Sequence, residues 1–171
     1  LRAHELILDI VDGYLEAMSW SEIQDSRYVM NLLSRVKRDQ EDVSSISLVR
    51  PDGLSTLSNT TPDTGIDVRN REYFLAARKD PGLHLSAPSM GPASGKVGFS
   101  LSRRLRGQGF RGVAVVSVTP EYFRQYYAGL REDPEDTIAL VRADGVVLAR
   151  QPAADTAFRC PPTSRFFDAI L

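Results

Sequence analysis

The chain has 171 residues, of which 42% are hydrophobic and 25% charged, the balance of an ordinary globular protein and not of a disordered segment. With 21 basic and 22 acidic residues the net charge is −1, so no global field draws the chain to nucleic acid, and none is expected as a partner. A single cysteine, Cys160, excludes an internal disulfide framework and a multi-cysteine metal site.

No apolar run approaches the ~20 residues that span a bilayer, and no basic-then-apolar leader opens the chain. The sequence starts at Leu1 and stops at Leu171 within a helical pattern, so it is expected to be a piece of a longer protein. The first segment places Ile7, Ile10, Val11, Tyr14, Leu15 and Met18 on one helical face. After an interruption at Ser19 to Ser21, a second helical pattern puts Val29, Leu32, Leu33 and Val36 on one side, with Arg35, Lys37 and Arg38 in a last turn that suits the helix dipole.

From Val43 the period changes to that of strands. Ile46-Ser47-Leu48-Val49-Arg50 leads through Pro51-Asp52-Gly53 into a run ending at Leu57, and Asp-Gly between two such runs predicts a hairpin. Ile138 to Val146 repeats Ile46 to Leu54, matching in Ile, Leu, Val, Arg, Asp and Gly. The repeat points to two units of similar design or to two hairpins built alike independently. Between the copies, Asn70 is expected to cap a helix over 71–79, ended by Asp80-Pro81-Gly82. Strands are expected over 83–87, 97–105 and 112–118, and Thr119-Pro120-Glu121 opens a helix carrying Tyr122, Phe123, Tyr126, Tyr127 and Leu130.

Several motifs suggest chemistry. Gly107-Gln108-Gly109-Phe110-Arg111-Gly112 spells G-x-G-x-x-G, but the stretch leads into a strand, where a dinucleotide site needs a helix N-terminus, so it reads as a hairpin loop. Gly91 to Lys96 lacks a spacer and the hydroxyl residue of a phosphate loop and reads as a turn. Asn59-Thr60-Thr61 matches a glycosylation sequon, inert in a bacterial source. His4, His84 and Cys160 have no partners at ligand or catalytic spacing, and the acids Asp133, Glu135 and Asp136 lie in a polar connector, so neither metal, cofactor nor enzymatic activity is expected.

Asp67-Val68-Arg69-Asn70-Arg71-Glu72-Tyr73-Phe74 is the strongest candidate. Two arginines at a helix N-terminus can fork onto a carboxylate beside two aromatic walls. Alternatively, Arg69 and Arg71 pair with Asp63, Asp67 or Glu72 while the rings serve only as core. Strand alternation sends Arg104 and Arg106 to the face of Ser100 and Ser102, and Arg103 to the other, so one of these arginines could also reach a pocket.

The run from Asp67 to Phe74 with Ala76-Ala77, then Ser86-Ala87-Pro88, Ser94-Gly95-Lys96, Ser100 to Leu105, Phe110 to Val113, Pro120 to Phe123 and Arg142 to Gly145, resembles the double Cache, or tandem PDC, sensor domains of bacterial histidine kinases, diguanylate cyclases and chemoreceptors. The resemblance implies an α+β fold: a PAS-like antiparallel sheet with a long N-terminal helix, in tandem arrangement with an incomplete second unit. It divides the chain into an N-terminal helical segment (1–40), a membrane-distal ligand-binding unit (41–131) and the start of a membrane-proximal unit (132–171).

It further implies an extracytoplasmic sensor, anchored by flanking spans and working as a homodimer, most readily of a histidine kinase, with the sensor domain of a diguanylate cyclase or chemoreceptor as the alternative. A dimerisation module that binds no ligand is the other reading, if the rings serve only as core. Its small-molecule ligand would be polar or anionic, such as a carboxylate. The ligand-binding residues it implies are Arg69, Arg71, Tyr73, Phe74, Ser86, Ser100, Ser102 and Arg104. Arg71 matches the arginine with which amino-acid-binding members grip their ligand, but their Asp and Tyr for the amino group have no counterpart near Pro88 to Lys96.

Overall fold

Strand-period sequence in the middle of the chain forms one continuous antiparallel sheet, and the helix-period segments cover its faces. A computed structural model of the chain describes residues 1–60, 65–153 and 159–160. Three helices, α1 (Arg2–Leu15), α2 (Trp20–Asp25) and α3 (Arg27–Arg38), precede strands β1 (Val43–Val49), β2 (Leu54–Ser58) and β3 (Ile66–Asp67). Helix α4 (Glu72–Lys79) follows, then β4 (His84–Leu85), β5 (Ser89–Met90), β6 (Val97–Arg104), β7 (Val113–Val118) and helix α5 (Pro120–Ala128). A separate hairpin, β8 (Ile138–Val141) and β9 (Val147–Gln151), comes last. The main sheet runs β3-β2-β1-β7-β6-β4, with β5 added to β6. Every pairing is antiparallel. This is the expected α+β, PAS-like architecture.

Alternation divides the sheet into two faces. Ile46, Leu48, Leu57, Leu101, Ala114 and Val116 point to one side and bury Ile7, Leu8, Val11 and Leu15 of α1 and Val29 and Leu33 of α3. Val49, Val68, Val113 and Val115 point to the other, where Phe74 and Ala77 of α4 close a smaller core. The buried face of α1 is rotated from the one expected: Leu8 is buried, while Ile10 and Tyr14 are 44% and 48% exposed. The cause is polar. Asp12 is buried and accepts the Arg106 N–H at 2.8 Å, and buried His4 places Nε2 2.6 Å from Asp42 Oδ2, so the helix turns these groups inward with Leu8.

The 19–21 interruption begins α2: Ser19 and Glu22 form a reciprocal capping box. The glycine-rich stretch is the β6–β7 loop, with Gly107, Gly109 and Gly112 at φ 130°, 67° and 119°. Gly112 is obligatory, since a Cβ there would lie 2.3 Å from the Val49 carbonyl oxygen and 2.8 Å from the Trp20 ring. Arg111 in this loop donates to the carbonyls of Leu15, Glu16, Met18 and Arg106, satisfying the C-terminal end of α1.

The second hairpin repeats the first beyond its turn. In the first, Arg50 N–H donates to Leu54 O at 2.9 Å and Gly53 N–H to Arg50 O at 2.9 Å; in the second, Arg142 N–H donates to Val146 O and Gly145 N–H to Arg142 O, both at 2.8 Å. Arg50 pairs with Asp52, and Arg142 with Asp144. The register slips between Leu48 and Val49, and again between Leu140 and Val141. A more distant segment returns in the same way to each hairpin: Val68 N–H to Gly53 O at 2.9 Å, Cys160 N–H to Gly145 O at 2.8 Å. Every correspondence has the spacing of 92 residues that separates Arg50 from Arg142. A generic hairpin accounts for the turn but not for the returning segment.

Candidate functional site

The sheet face that carries the smaller core continues past it into a hollow of 370 Å³. Its floor is the same alternation seen from the other side. Ser45 and Ser47 of β1, Ser55 of β2, Ser100 of β6 and Val115 and Ser117 of β7 point into it, and all but Ser55 are flanked in sequence by residues of the helix-covered core. Its rim is made by Arg71 and Tyr73 at the start of α4, and by the turn from Gly91 to Lys96. That turn is held by Gly91 N–H to Lys96 O at 2.8 Å, Gly95 N–H to Gly91 O at 3.0 Å and Lys96 N–H to Ser94 Oγ at 3.2 Å, and Gly95 takes φ 64°. Small-molecule pockets span roughly 300–1,000 Å³, so the hollow suits a compact ligand.

Arg71 is the N-cap of α4 in place of the expected Asn70, and it caps through its backbone carbonyl, with no side-chain cap. Among the described residues its guanidinium has no hydrogen-bond or ion-pair partner. The Tyr73 hydroxyl likewise has none. Burial pushes the Tyr73 phenol up to about 12, against the opposing pull of the Arg71 charge, so at neutral pH it is a neutral donor. Two donors without acceptors among the described residues, on the rim of a hydroxyl-lined hollow, are equipped to hold an anion or a polar oxygen. The pairing of Arg71 with Asp63 lies outside the described residues.

The other expected site residues lie outside the lining. Arg69 folds back onto Asp67, with Nη2 to Oδ2 at 2.6 Å, and its side chain is 63% exposed. Its hydrogen bonds hold the Asp67 carboxyl down at about 2. Phe74 is fully buried, packed edge-on against Phe110 with centroids 5.5 Å apart. Ser86 Oγ accepts the Ser100 N–H at 2.9 Å and Ser102 Oγ donates to Tyr73 O at 3.3 Å, so both brace the wall from behind. Arg104 lies over the Phe110 ring and donates to Gly109 O, and Arg103 turns to Glu5 and Asp9 of α1. Arg106, expected on the Ser100 face, instead pairs with Asp9 and Asp12, because the strand ends at Arg104 and the chain turns. Thus Arg71, Tyr73 and Ser100 are brought together at the hollow, while Arg69, Phe74, Ser86, Ser102 and Arg104 support its surroundings.

Sequence reasoning missed Ser45, Ser47, Ser117 and Lys96. The signal was present: in Ser45-Ile46-Ser47-Leu48 and Val116-Ser117-Val118 a small hydroxyl alternates with core residues. Among the described residues, no group of three or more His, Cys, Asp and Glu could hold a metal ion.

No family model and no curated protein matches the chain. Solved structures do. The extracellular domain assigned to a histidine kinase, rpHK1S-Z16, superposes with a TM-score of 0.83 at 24% identity, over 98% of this chain and 69% of that one. The ligand-binding domain of the Campylobacter jejuni chemoreceptor Tlp3, in complex with 4-methylisoleucine, gives a TM-score of 0.65 at 13% identity, covering 87% of this chain and 61% of that one. The ligand-binding domain of the Pseudomonas fluorescens chemoreceptor CtaA, in complex with L-valine, gives 0.64 at 19% identity, covering 84% and 63%. The chain thus spans less than two thirds of the two chemoreceptor domains. At these identities the likeness is one of fold, and it establishes that the chain has the α+β, PAS-like fold of such sensor domains.

Proposed function

We propose that this chain is the extracytoplasmic sensor domain of a membrane receptor, that it binds a small polar or anionic metabolite in the hollow under α4, and that it is not an enzyme. Binding would shift the receptor between states by as much as the ligand's affinities for them differ. The observation that carries the reading is the pair of rim donors, the Arg71 guanidinium and the Tyr73 hydroxyl, which have no acceptor among the described residues and share one cavity. The superposition on sensor domains of a kinase and of chemoreceptors supports the same reading and both kinds of output, histidine kinase and chemoreceptor.

The tandem arrangement is part of the proposal. The 92-residue repeat of hydrogen bonds and ion pairs supports β8 and β9 as the opening hairpin of a second unit, with the first unit ending near residue 131. A homodimer is supported by Leu6, Ile10 and Tyr14, exposed along one stripe of α1 at i, i+4 and i+8.

A thermal-shift and calorimetric screen with organic acids and amino acids tests the reading. A true ligand at a hundredfold excess over its Kd stabilises the chain by about 2.7 kcal/mol, and Arg71→Ala abolishes that shift. A full panel that moves neither the native chain nor the variant overturns the sensor reading.

A further inference from the structure

Among the described residues, the charges around the hollow are one-sided: two cationic side chains line it, Arg71 and Lys96, and none of the described lining residues is Asp or Glu. Neither cation is neutralised by a carboxylate among the described residues. They also reach the hollow from different directions: Arg71 follows β3, at one edge of the sheet, whereas Lys96 immediately precedes β6, on the far side of the central β1–β7 pair. Between them the floor offers the hydroxyls of Ser47, Ser100 and Ser117, able to donate or accept.

We infer that the hollow selects an organic dianion with an acidic group at each end, such as a dicarboxylate, one end on Arg71 and Tyr73 and the other on Lys96. The inference rests on the sensor reading and narrows its ligand. An α-amino acid places an ammonium next to its carboxylate, and here that ammonium would be desolvated beside a guanidinium with no carboxylate among the described lining to receive it. A diacid gives each cation its own counter-charge. The serines then take up the remaining oxygen lone pairs without adding charge.

Calorimetric titration of the 171-residue chain with succinate and glutarate, with their monoamides succinamate and glutaramate, and with L-aspartate and L-glutamate tests this inference. Each set holds chain length nearly constant and changes one group. A diacid is expected to bind about tenfold or more tightly than its monoamide, the factor a charge-assisted hydrogen bond supplies, and more tightly than the corresponding amino diacid. Lys96→Gln is expected to level the diacid with its monoamide, and Arg71→Gln to remove binding of both, with the unfolding midpoint unchanged in either variant. A monoamide that matches its diacid, an amino diacid that outbinds it, or a preference that survives Lys96→Gln overturns the inference. So does silence from the whole diacid series. The sensor reading is separate: it falls only if amino acids and other organic acids are silent as well, and an Arg71-dependent amino acid would refute the dianion while leaving the sensor standing.

Discussion

Arg142 of the second hairpin donates from Nη1 to Glu72 Oε1 at 2.8 Å, joining the turn after β8 to the residue between the two rim donors of the hollow. The same guanidinium reaches Leu85 O and grips Asp144 through Nε and Nη2, both at 2.8 Å. Glu72 in turn accepts the Ala87 N–H at 2.9 Å and lies 3.3 Å from His84 Nε2. Burial raises the Glu72 carboxyl, but the Ala87 and Arg142 hydrogen bonds and the Arg142 and His84 charges outweigh it and hold the group below its ordinary range. A hydrogen bond from Arg142 also holds Asp144 well below the ordinary carboxylate range.

Arg142→Ala is therefore expected to destabilise the chain by about 1–2 kcal/mol, above the usual surface pair and below a fully buried one. It also changes the pH dependence. Carboxyls depressed in the folded state contribute stability that is present above their unfolded values and lost as pH falls through the folded ones. The acid-side decline in unfolding free energy should be shallower in Arg142→Ala than in the native chain, measured by denaturant titration between pH 5 and pH 2, a window set by ordinary Asp and Glu values of about 4. Equal slopes would mean that Arg142 does not hold these carboxyls.

Arg71 and Phe74 sit three residues apart, and their truncation should differ sharply in cost. Phe74→Ala empties a fully buried position and should cost about 3–5 kcal/mol. Arg71→Ala removes a side chain without a described partner and should stay within about 0.5 kcal/mol of the native stability. A large loss for Arg71→Ala in chemical denaturation would show a structural pairing and weaken its role on the rim.

The Tyr73 phenol adds an alkaline signature. With its folded value pushed up to about 12, it keeps its proton in the native state while the unfolded chain loses it above the ordinary value of 10.0. Below that ordinary value the two states hold the same proton. Above it, stability falls by up to about 1.4 kcal/mol per pH unit until the folded value is reached. Tyr73→Phe should remove this component between pH 10 and pH 12, and identical alkaline curves would place the phenol in water.

Two glycines offer a contrast that needs no ligand. Gly13 lies within α1, and a methyl group added there would meet nothing within 4 Å, so Gly13→Ala should stabilise by about 0.5–1 kcal/mol through helix propensity. Gly112→Ala should cost more than about 4 kcal/mol, because it combines a positive φ with contact on the Val49 carbonyl. Thermal unfolding of the pair checks both signs.

The parts of this fold legible in sequence are those specified locally. Asp52-Gly53 and Asp144-Gly145 mark their hairpins because a tight turn requires the positive φ that both glycines adopt. Pro120 marks the start of α5 for an equally local reason, its fixed φ at the first helical turn. The phase of α1 was not legible. Hydrophobic periodicity sends charged residues outward, whereas Asp12 and His4 turn inward to partners some 94 and 38 positions away, Arg106 and Asp42. The site was legible by half: Arg71 and Tyr73 lie on one short motif, but Ser47, Ser117 and Lys96 meet them only after β1, β7 and the 91–96 turn are assembled. Alternation with core residues assigns these serines to the face opposite the helices, but it does not tell whether that face meets water or a covered hollow.

The four carbonyls that converge on Arg111 have a mechanical consequence. Leu15, Glu16 and Met18 belong to the end of α1 and its continuation, and Arg106 to the loop between β6 and β7, so a single rigid fork bolts the helix terminus to the sheet. An axial push on α1 cannot slide past the strands. It must either carry the loop, and with it the Arg104 end of β6, or break these hydrogen bonds, so the end of α1 and the β6–β7 loop move as one piece.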